Sequence, residues 1–446
     1  MKTQYIGLEH IDGPLVYLKT PEGIAFNDQV ELILKDGSRR LGNVIVLNED
    51  VTVIQVYEGT DGISIEEVRT ELKGEPLKVK LSKSCLGRVF NGVGKPIDGL
   101  GEINDGIRRN INGSPMNPIS RQYPRNYIET GISVIDGLMT LIRGQKLPIF
   151  SGSGIDDNKL TEQIIRQANI RGEGEFAIVF GLMGAEYETA EFFKKSFQEN
   201  GVLSKVVTFQ NLSTDPSIER ILTPKVALTF AEYLAFDLDM QVLVILSDMT
   251  AYAESLREIS TLKGEIPSRK GYPGYLYSDL ASIYERAGML KGKKGSITQI
   301  PILTMPNDDI SHPIPDLTGY ITEGQIVLGR ELHQKGIYPP VNILDSLSRL
   351  MKDGIGEDYT REDHRKISDQ LFASYSKVQD VRALAKVLGE ADLSETDKKY
   401  IEFGTEFENK FLGQGKFENR TIEQTLDLAL EVLKILPREE LDKLEQ

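Results

Sequence analysis

A glycine-rich turn between an apolar run and a helical pattern is the first stretch that could bind a ligand. It reads PIFSGSGIDDNKLTEQIIRQA, from Pro148 to Ala168. Proteins that hold nucleotide phosphates at such a turn carry G-x-x-x-x-G-K-(S/T): backbone N–H groups surround the phosphates, the lysine offsets their charge, and the hydroxyl holds magnesium. Counted from Gly152, the three diagnostic positions hold other residues: Asp157, Asn158 and Lys159. The sequence keeps the frame of a phosphate site and lacks its chemistry.

Two neighbouring carboxylates, Asp156 and Asp157, make this turn unfavourable for a phosphate. A carboxylate about 5 Å from a phosphate charge costs roughly 3 kcal/mol at an effective dielectric near 20. An aspartate here instead satisfies N–H groups of the first helical turn and the helix dipole. We therefore predict a helix cap; in the alternative, Lys159 swings back by one residue to act as the phosphate lysine. The whole degenerate loop comprises Gly152, Ser153, Gly154, Asp156, Asp157, Asn158 and Lys159.

Acidic residues also follow two other predicted strands, where a magnesium ligand or a general base would lie. Asp248 ends the apolar run QVLVILSD, in the position of a carboxylate that holds magnesium in nucleotide-hydrolysing enzymes. Because the phosphate lysine is missing, we favour a capping role for Asp248 at the next helix. Glu186 and Glu188 follow the run FAIVFGL and are expected to begin a helix. The chain therefore shows no convincing lysine, hydroxyl and base of its own.

A proline-fixed loop carries one further candidate, Arg349. The loop reads PPVNILDSLSRLMKDGIG, from Pro339 to Gly356. A lone loop arginine is usually a solvated or salt-bridged surface group. Spacing alone therefore assigns no function to Arg349.

Composition excludes several classes of function. The 446 residues carry a formal net charge of −15, and the sequence pI is near 5.0, which argues against a nucleic-acid or anionic-membrane surface. The single cysteine, Cys85, allows no internal disulfide and fits a reducing cytosol. No signal peptide and no window of 18 uninterrupted apolar residues are recognisable. The histidines have no ligand spacing, so we predict no metal site: His10, His312, His333 and His364.

Apolar periodicity divides the chain into three predicted domains. Residues 1–72 form short β-rich runs broken by Asn and Asp-Gly turns, which predicts a small β-barrel. Residues 73–353 begin with a glycine-rich segment, predicted as a tight linker, whose Gly94-Lys95 pair does not fit the phosphate pattern. Strands then alternate with helices, which predicts a mainly parallel sheet with helices on both faces. Residues 354–446 carry capped helices, one of them opened by Thr421 and Gln424.

Several segments resemble a known family. PPVNILDSLS fits the signature of the alpha and beta subunits of rotary ATP synthases. ETGISVIDGLMTLIRGQKLPIFSGSG, YAESLREIS, GYPGYLYSDLASIYERAG and HPIPDLTGYITEGQI resemble the B subunits of V-type and archaeal A-type ATPases. The resemblance covers essentially the whole chain and implies a multidomain α/β protein: an N-terminal β-barrel, a RecA-like P-loop-type core and a C-terminal helical domain. The family usually has a Pro-His-Asn type sequence where this chain reads Ile155-Asp156-Asp157-Asn158.

The resemblance also implies a function completed by a partner. B subunits are the non-catalytic members of a ring in which they alternate with catalytic A subunits around a rotating stalk. By this resemblance Arg349 is an arginine finger that reaches the phosphates of ATP or ADP, with magnesium, at the interface with A. Ser346 and Ser348 would shape its loop, and Tyr320 is a weaker interface candidate.

The implied setting is the cytoplasmic side of a membrane, as a peripheral part of a complex with central and peripheral stalk subunits. The isolated chain is then expected to bind no nucleotide tightly and to be inactive. Two alternatives remain open: a self-sufficient hexameric ATPase of the export-motor or helicase type, and a scaffold whose arginine is inert. The sequence leaves open proton or sodium as the ion, and synthesis or hydrolysis as the direction.

Overall fold

An antiparallel sheet forms the N-terminal part of the chain in this computed structural model, which describes residues 4–113, 116–170 and 174–445. Its seven strands lie in the order β1-β7-β4-β5-β6-β3-β2 around their own apolar core. The Asp36-Gly37 turn joins β4 to β5, and Gly37 has the positive φ of 84° that glycine adopts without strain. The strands are β1 (Gln4–Ile6), β2 (His10–Asp12), β3 (Leu15–Lys19), β4 (Gln29–Ile33), β5 (Arg39–Leu47), β6 (Val51–Val56) and β7 (Arg69–Leu72).

The central part alternates strands and helices, as the sequence predicts. Its strands are β8 (Lys78–Leu81), β9 (Val89–Asn91), β10 (Ile107–Asn110), β11 (Arg121–Gln122), β12 (Tyr127–Glu129), β13 (Leu141–Ile142), β14 (Ile149–Gly152), β15 (Asn169–Ile170), β16 (Phe176–Ala185), β17 (Val206–Leu212), β18 (Gln241–Ser247), β19 (Gly288–Leu290), β20 (Ser296–Met305), β21 (Gly324–Val327) and β22 (Leu347–Ser348). Its helices are α1 (Ser133–Leu138), α2 (Asp157–Gln167), α3 (Tyr187–Glu199), α4 (Ser217–Glu232, continued by a π-helical turn at Tyr233–Asp237), α5 (Met249–Leu262), α6 (Leu276–Tyr284), α7 (Pro313–Ile321) and α8 (Arg330–Gln334).

A ten-stranded sheet forms the centre of this part, with the main order β22-β21-β14-β20-β18-β16-β17-β9. The neighbours from β21 to β9 pair in parallel, whereas β22 pairs antiparallel to β21. Side chains of β16 alternate between two apolar cores: Ala177 and Val179 face one, and Ile178 and Phe180 face the other. Helices cover both faces, so the predicted mainly parallel core is confirmed.

One segment differs from its sequence interpretation. The glycine-rich stretch after Cys85, predicted as a tight linker, contributes β9 to the edge of the large sheet, where Phe90 pairs with Phe209 of β17. Phe90 is buried in the core beneath α4, which explains why this short segment is held as a strand. Lys95 forms an ion pair with Glu58 of the N-terminal part.

The C-terminal part is helical and shares one apolar core with the central sheet. Its helices are α9 (His364–Leu388), α10 (Glu395–Glu406, continued by a π-helical turn at Phe407–Leu412), α11 (Ile422–Leu433) and α12 (Asp442–Glu445). The predicted capping box opens α11: the Thr421 hydroxyl accepts the Gln424 N–H at 3.3 Å, and the Gln424 side chain accepts the Thr421 N–H at 2.9 Å. The domain boundaries drawn from the sequence, after residues 72 and 353, stay predictions.

Candidate functional site

The degenerate loop connects β14 to α2 and is closed by its own residues. Gly154 has a φ of 81°, and the Ile155 N–H donates to the carbonyl of Gly152 at 3.0 Å. Asp156 is the N-cap of α2, because its carboxylate accepts the Lys159 N–H at 3.3 Å. The Lys159 ammonium folds back onto the same carboxylate at 2.6 Å. The predicted cap is present, and the lysine of the alternative interpretation is paired with an aspartate.

The second aspartate of the loop has an unusual titration. Asp157 is partly buried, and burial together with the nearby charge of Asp248 raises its pKa from 3.8 to about 7. Asp248 directly follows β18 and caps α5: its carboxylate accepts the Thr250 N–H and the Thr304 hydroxyl, both at 2.6 Å. Burial raises the pKa of Asp248 as well. Two acidic groups therefore crowd the space where a phosphate would need positive charge.

Replacing Asp157 with asparagine should stabilise the chain at high pH. The folded chain holds a proton on Asp157 up to about pH 7, whereas the unfolded chain releases it near the ordinary aspartate pKa of 3.8. Stability contributed by this proton is complete below about pH 4 and is lost as the pH rises through 7, at about 1.4 kcal/mol per unit of pKa difference. Thermal unfolding should show Asp157→Asn more stable than the wild type at pH 8, with the gap closing by pH 4. A gap that is the same at both pH values would contradict the assignment.

Two residues outside the set predicted from the sequence, Arg330 and Asp308, lie against this loop. Arg330, at the start of α8, donates to the carbonyl of Ser153 at 2.9 Å and to the Asp308 carboxylate at 2.8 Å. A Cβ atom on Gly152 would lie 2.1 Å from that carboxylate, so a larger residue there would displace the Asp308–Arg330 pair. Asp308 follows β20 and Arg330 follows β21, two strands of the parallel sheet. Ligand sites form at such strand ends. Their position at the ends of predicted apolar strands was the only sign in the sequence that Asp308 and Arg330 lie near a possible ligand site. Asn158 lies partly buried in the first turn of α2.

The other acidic candidates take no part in this arrangement. Glu186 immediately precedes α3 and Glu188 lies in its first turn, and both are exposed. They begin a helix, as the sequence predicts. Among the described residues, no group of three or more His, Cys, Asp and Glu side chains is arranged to hold a metal ion.

The arginine candidate lies at the outer edge of the central sheet. Arg349 directly follows β22, and its N–H donates to the carbonyl of Glu323 at 2.9 Å. Among the described residues its guanidinium makes one hydrogen bond, at 3.3 Å, to the carbonyl of Thr322. Arg349 is exposed, and within residues 4–113, 116–170 and 174–445 no carboxylate pairs with it. The backbone of Arg349 is thus held by Glu323, whereas its guanidinium is free to contact a group outside this chain.

Two serines hold the loop that presents this arginine. Ser346 is buried, and its hydroxyl accepts the Val327 N–H at 2.8 Å and donates to the carbonyl of Asn342 at 2.6 Å. The Ser348 hydroxyl donates to the carbonyl of Thr140 at 3.2 Å. Both side chains point into the protein and hold the loop backbone by these hydrogen bonds. Their role in presenting Arg349 stays a prediction.

Tyr320 is 76% exposed near the end of α7, two residues before Thr322. Its ring lies 6.0 Å, between centroids, from the ring of Tyr277. The side chain is a surface group and makes no contribution to the core. Its position places it on the chain segment that also contacts Arg349.

Arg349 and the degenerate loop lie at opposite ends of the same strands. Arg349 and Lys146 lie at the same height along the strand direction, because the backbone of Glu323 is hydrogen-bonded to the backbones of both residues. The loop residue Ser153 comes seven residues later, or about 23 Å at about 3.3 Å per residue. An arginine side chain is far shorter than this distance. Arg349 therefore cannot reach a ligand bound at the degenerate loop of the same chain, and any group on which it acts must lie elsewhere.

Comparisons with known proteins agree with this architecture. The family model of the ATP synthase alpha/beta nucleotide-binding domain matches residues 131–348. The model of the C-terminal domain of V and A type ATP synthases matches residues 353–446, and the beta-barrel model of the alpha/beta family matches residues 9–68. The predicted N-terminal barrel is thereby confirmed.

Similar proteins cover almost the full chain. The V-type ATP synthase beta chain 2 of Clostridium tetani is 60% identical over 99% of this chain and 97% of its own length. The B subunit of the A-type ATP synthase of Nitrosopumilus maritimus is 57% identical over 99% and 96%. A solved structure, titled as a unique ATP synthase subunit NeqB from Nanoarcheaum equitans, has a TM-score of 0.75 at 39% identity and covers 94% of this chain and 98% of that one. The chain therefore belongs to the ATP synthase alpha/beta family, among the B, or beta, chains of V-type and A-type ATP synthases.

Proposed function

We propose that this chain is the non-catalytic B subunit of a rotary ATPase and supplies Arg349 in trans to a nucleotide held by the catalytic A subunit. The observation that carries the proposal is the placement of Arg349. Its guanidinium is exposed, and its backbone lies about 23 Å along the strands from the degenerate loop of the same chain. Such a group is free to contact a phosphate bound to a neighbouring subunit. The relatives are named as chains of multisubunit ATP synthases, in which a neighbouring subunit is present.

The degenerate loop supports a non-catalytic role. A phosphate there would meet Asp156, whose charge is already paired with Lys159, and Asp157, which has no cationic partner among the described residues. No lysine and no hydroxyl occupy the diagnostic positions. The residues present do not fit a nucleotide phosphate with magnesium. ATP or ADP with magnesium is accordingly assigned to the interface with A, and the isolated chain should be inactive.

The chemical role of Arg349 would be electrostatic. Phosphoryl transfer develops charge on the transferred oxygens, and an arginine supplied from a neighbour stabilises that charge, which is worth about 10³ to 10⁵ in rate. Closure of the A–B interface would bring the guanidinium onto the phosphates, and product release would reopen it. The same contact serves hydrolysis and synthesis, since a lower barrier accelerates both directions.

The proposed assembly is a ring in which three B subunits alternate with three A subunits. The N-terminal barrel would join the ring at its outer end, the helical part would contact the central stalk, and further subunits would form the peripheral stalk. The complex would couple ATP chemistry to proton or sodium transport, with this chain attached peripherally on the cytoplasmic side of the membrane. In the part of the chain that the structure describes, no helix combines the length and apolarity needed to cross a membrane.

Steady-state ATP turnover tests the proposal. Rings are reconstituted from a catalytic A subunit with either the wild-type chain or Arg349→Ala, and the chain alone is assayed beside them. An active ring, a silent isolated chain and a large loss on substitution support the arginine in trans. Turnover by the isolated chain would refute the non-catalytic assignment.

A further inference from the structure

A buried glutamine contacts the loop that carries Arg349, residues 339–356, from inside the protein; this segment is called the arginine loop below. Gln145 lies in the turn between β13 and β14, and its side chain is fully buried. Its amide oxygen accepts the Ile142 N–H at 2.9 Å. Its amide nitrogen donates to the Ser348 hydroxyl at 2.8 Å and to the carbonyl of Glu323 at 3.2 Å. The residue immediately before Arg349 is thus fixed by a group 203 positions away.

The carbonyl of Glu323 joins this glutamine to Arg349. It accepts both the Arg349 N–H, at 2.9 Å, and the Gln145 amide, at 3.2 Å. The Glu323 carboxylate is held in turn by Lys146, through the backbone N–H at 2.8 Å and the ammonium at 2.9 Å. Lys146 is buried, and its ammonium also pairs with Glu285 at 2.6 Å. The segment that contacts Arg349 at its backbone and at its guanidinium is therefore anchored to the turn before β14.

We propose that Gln145 is a positioning residue: through Ser348 and the Glu323 carbonyl it sets the direction in which Arg349 leaves the sheet edge. The inference rests on the proposed function, because it concerns the aim of an arginine that acts on a neighbouring subunit. Within the described part of the chain, the guanidinium has only the 3.3 Å bond to Thr322 to hold it, so its direction depends on the backbone that precedes it. A misplacement of about 1 Å in a catalytic contact can cost about a hundredfold in rate.

A purely structural role for Gln145 makes a different prediction. A buried amide that only satisfies its neighbours would lower stability when removed, and would affect turnover only through the amount of assembled ring. A positioning residue lowers kcat of the assembled ring, leaves KM for ATP unchanged, and acts only while Arg349 is present. These readouts separate the two roles.

The matched pair of variants is Gln145→Met and Gln241→Met. Methionine has nearly the volume of glutamine and cannot donate a hydrogen bond. Gln241 is also buried, and its amide donates to the carbonyl of Lys294 at 2.7 Å and accepts the Ser296 hydroxyl at 2.5 Å. It lies on β18, across the sheet from β22, and its side-chain bonds lie away from the arginine loop. Each variant is incorporated into rings with and without Arg349→Ala, and kcat, KM and the melting temperature of the ring are measured.

We expect Gln145→Met to lower kcat by about ten- to a hundredfold with KM unchanged, and Gln241→Met to leave kcat at the wild-type level. In rings that carry Arg349→Ala, Gln145→Met should cause no further loss. A loss of the same size in that background, or a kcat equal to that of Gln241→Met, would overturn the inference while the proposed function stood. If Arg349→Ala were itself without effect, the proposed function would fail. Should Gln145→Met not assemble, Ser348→Ala removes the acceptor with little loss of volume and must show the same kcat loss and the same dependence on Arg349.

Discussion

Replacing Arg349 with alanine should lower the ATP turnover of the reconstituted ring by a hundredfold or more. The guanidinium is exposed and lacks a carboxylate partner among the described residues. It is also too far from the degenerate loop of the same chain to reach it. Under the proposed function its loss removes transition-state stabilisation at the neighbouring site, and an arginine finger is worth about 10³ to 10⁵ in rate. Because the guanidinium makes a single long hydrogen bond within the described chain, folding and ring assembly should be preserved. The measurement is kcat of purified rings, normalised to their content of both subunits.

Two further variants sharpen this experiment. Arg349→Lys keeps the charge and loses the planar fork that contacts two phosphate oxygens at once, so it should recover only part of the lost rate. Arg39→Ala removes another exposed arginine, one that pairs with Glu31 on the N-terminal sheet at 2.9 Å, and should leave turnover unchanged. Equal turnover of the wild-type and Arg349→Ala rings would support the scaffold alternative, in which the arginine is inert.

The sequence was sufficient for the parts of the fold that repeat. Strands such as β16 and β18 are buried on both faces and read as unbroken apolar runs, so their assignment requires no tertiary information. The cap of α2 was predictable for a similar reason, since Asp156 and the N–H of Lys159 are three residues apart. The strand β9 was not predictable, because three residues in a glycine-rich stretch show no period. It is a strand only because β17 lies beside it.

The contacts that aim the candidate arginine arise from distant segments. Nothing near Gln145 in the sequence indicates that it meets Ser348, and nothing near Arg330 indicates that it closes over Ser153, 177 positions earlier. The separation of Arg349 from its own loop also follows from strand order and direction, which spacing in the sequence does not contain. Local chemistry could be predicted from local sequence, whereas the relation between the two candidate sites required the assembled sheet.

Restoring the phosphate pattern should give the isolated chain a nucleotide site that the wild type lacks. The four substitutions are Asp156→Ser, Asp157→Gly, Asn158→Lys and Lys159→Thr, which complete G-x-x-x-x-G-K-T from Gly152. They remove the Asp156–Lys159 ion pair and also Asp157, whose carboxylate, when ionised, costs roughly 3 kcal/mol against a phosphate about 5 Å away. Serine keeps a cap on α2, and the new lysine has no remaining aspartate partner in the loop.

Calorimetric titration of the isolated chain with ATP and magnesium measures the result. Since every 1.4 kcal/mol is about tenfold in affinity, we expect the four-substitution variant to bind at least a hundredfold more tightly than the wild type. The control carries the other three substitutions and keeps Asn158, so it removes the repulsion without supplying the lysine, and its gain should be smaller. Tight binding by the wild type would show that Lys159 leaves Asp156 to hold the phosphates. A folded variant without any gain would instead locate the block outside the loop, where Asp248 and the Asp308–Arg330 pair lie.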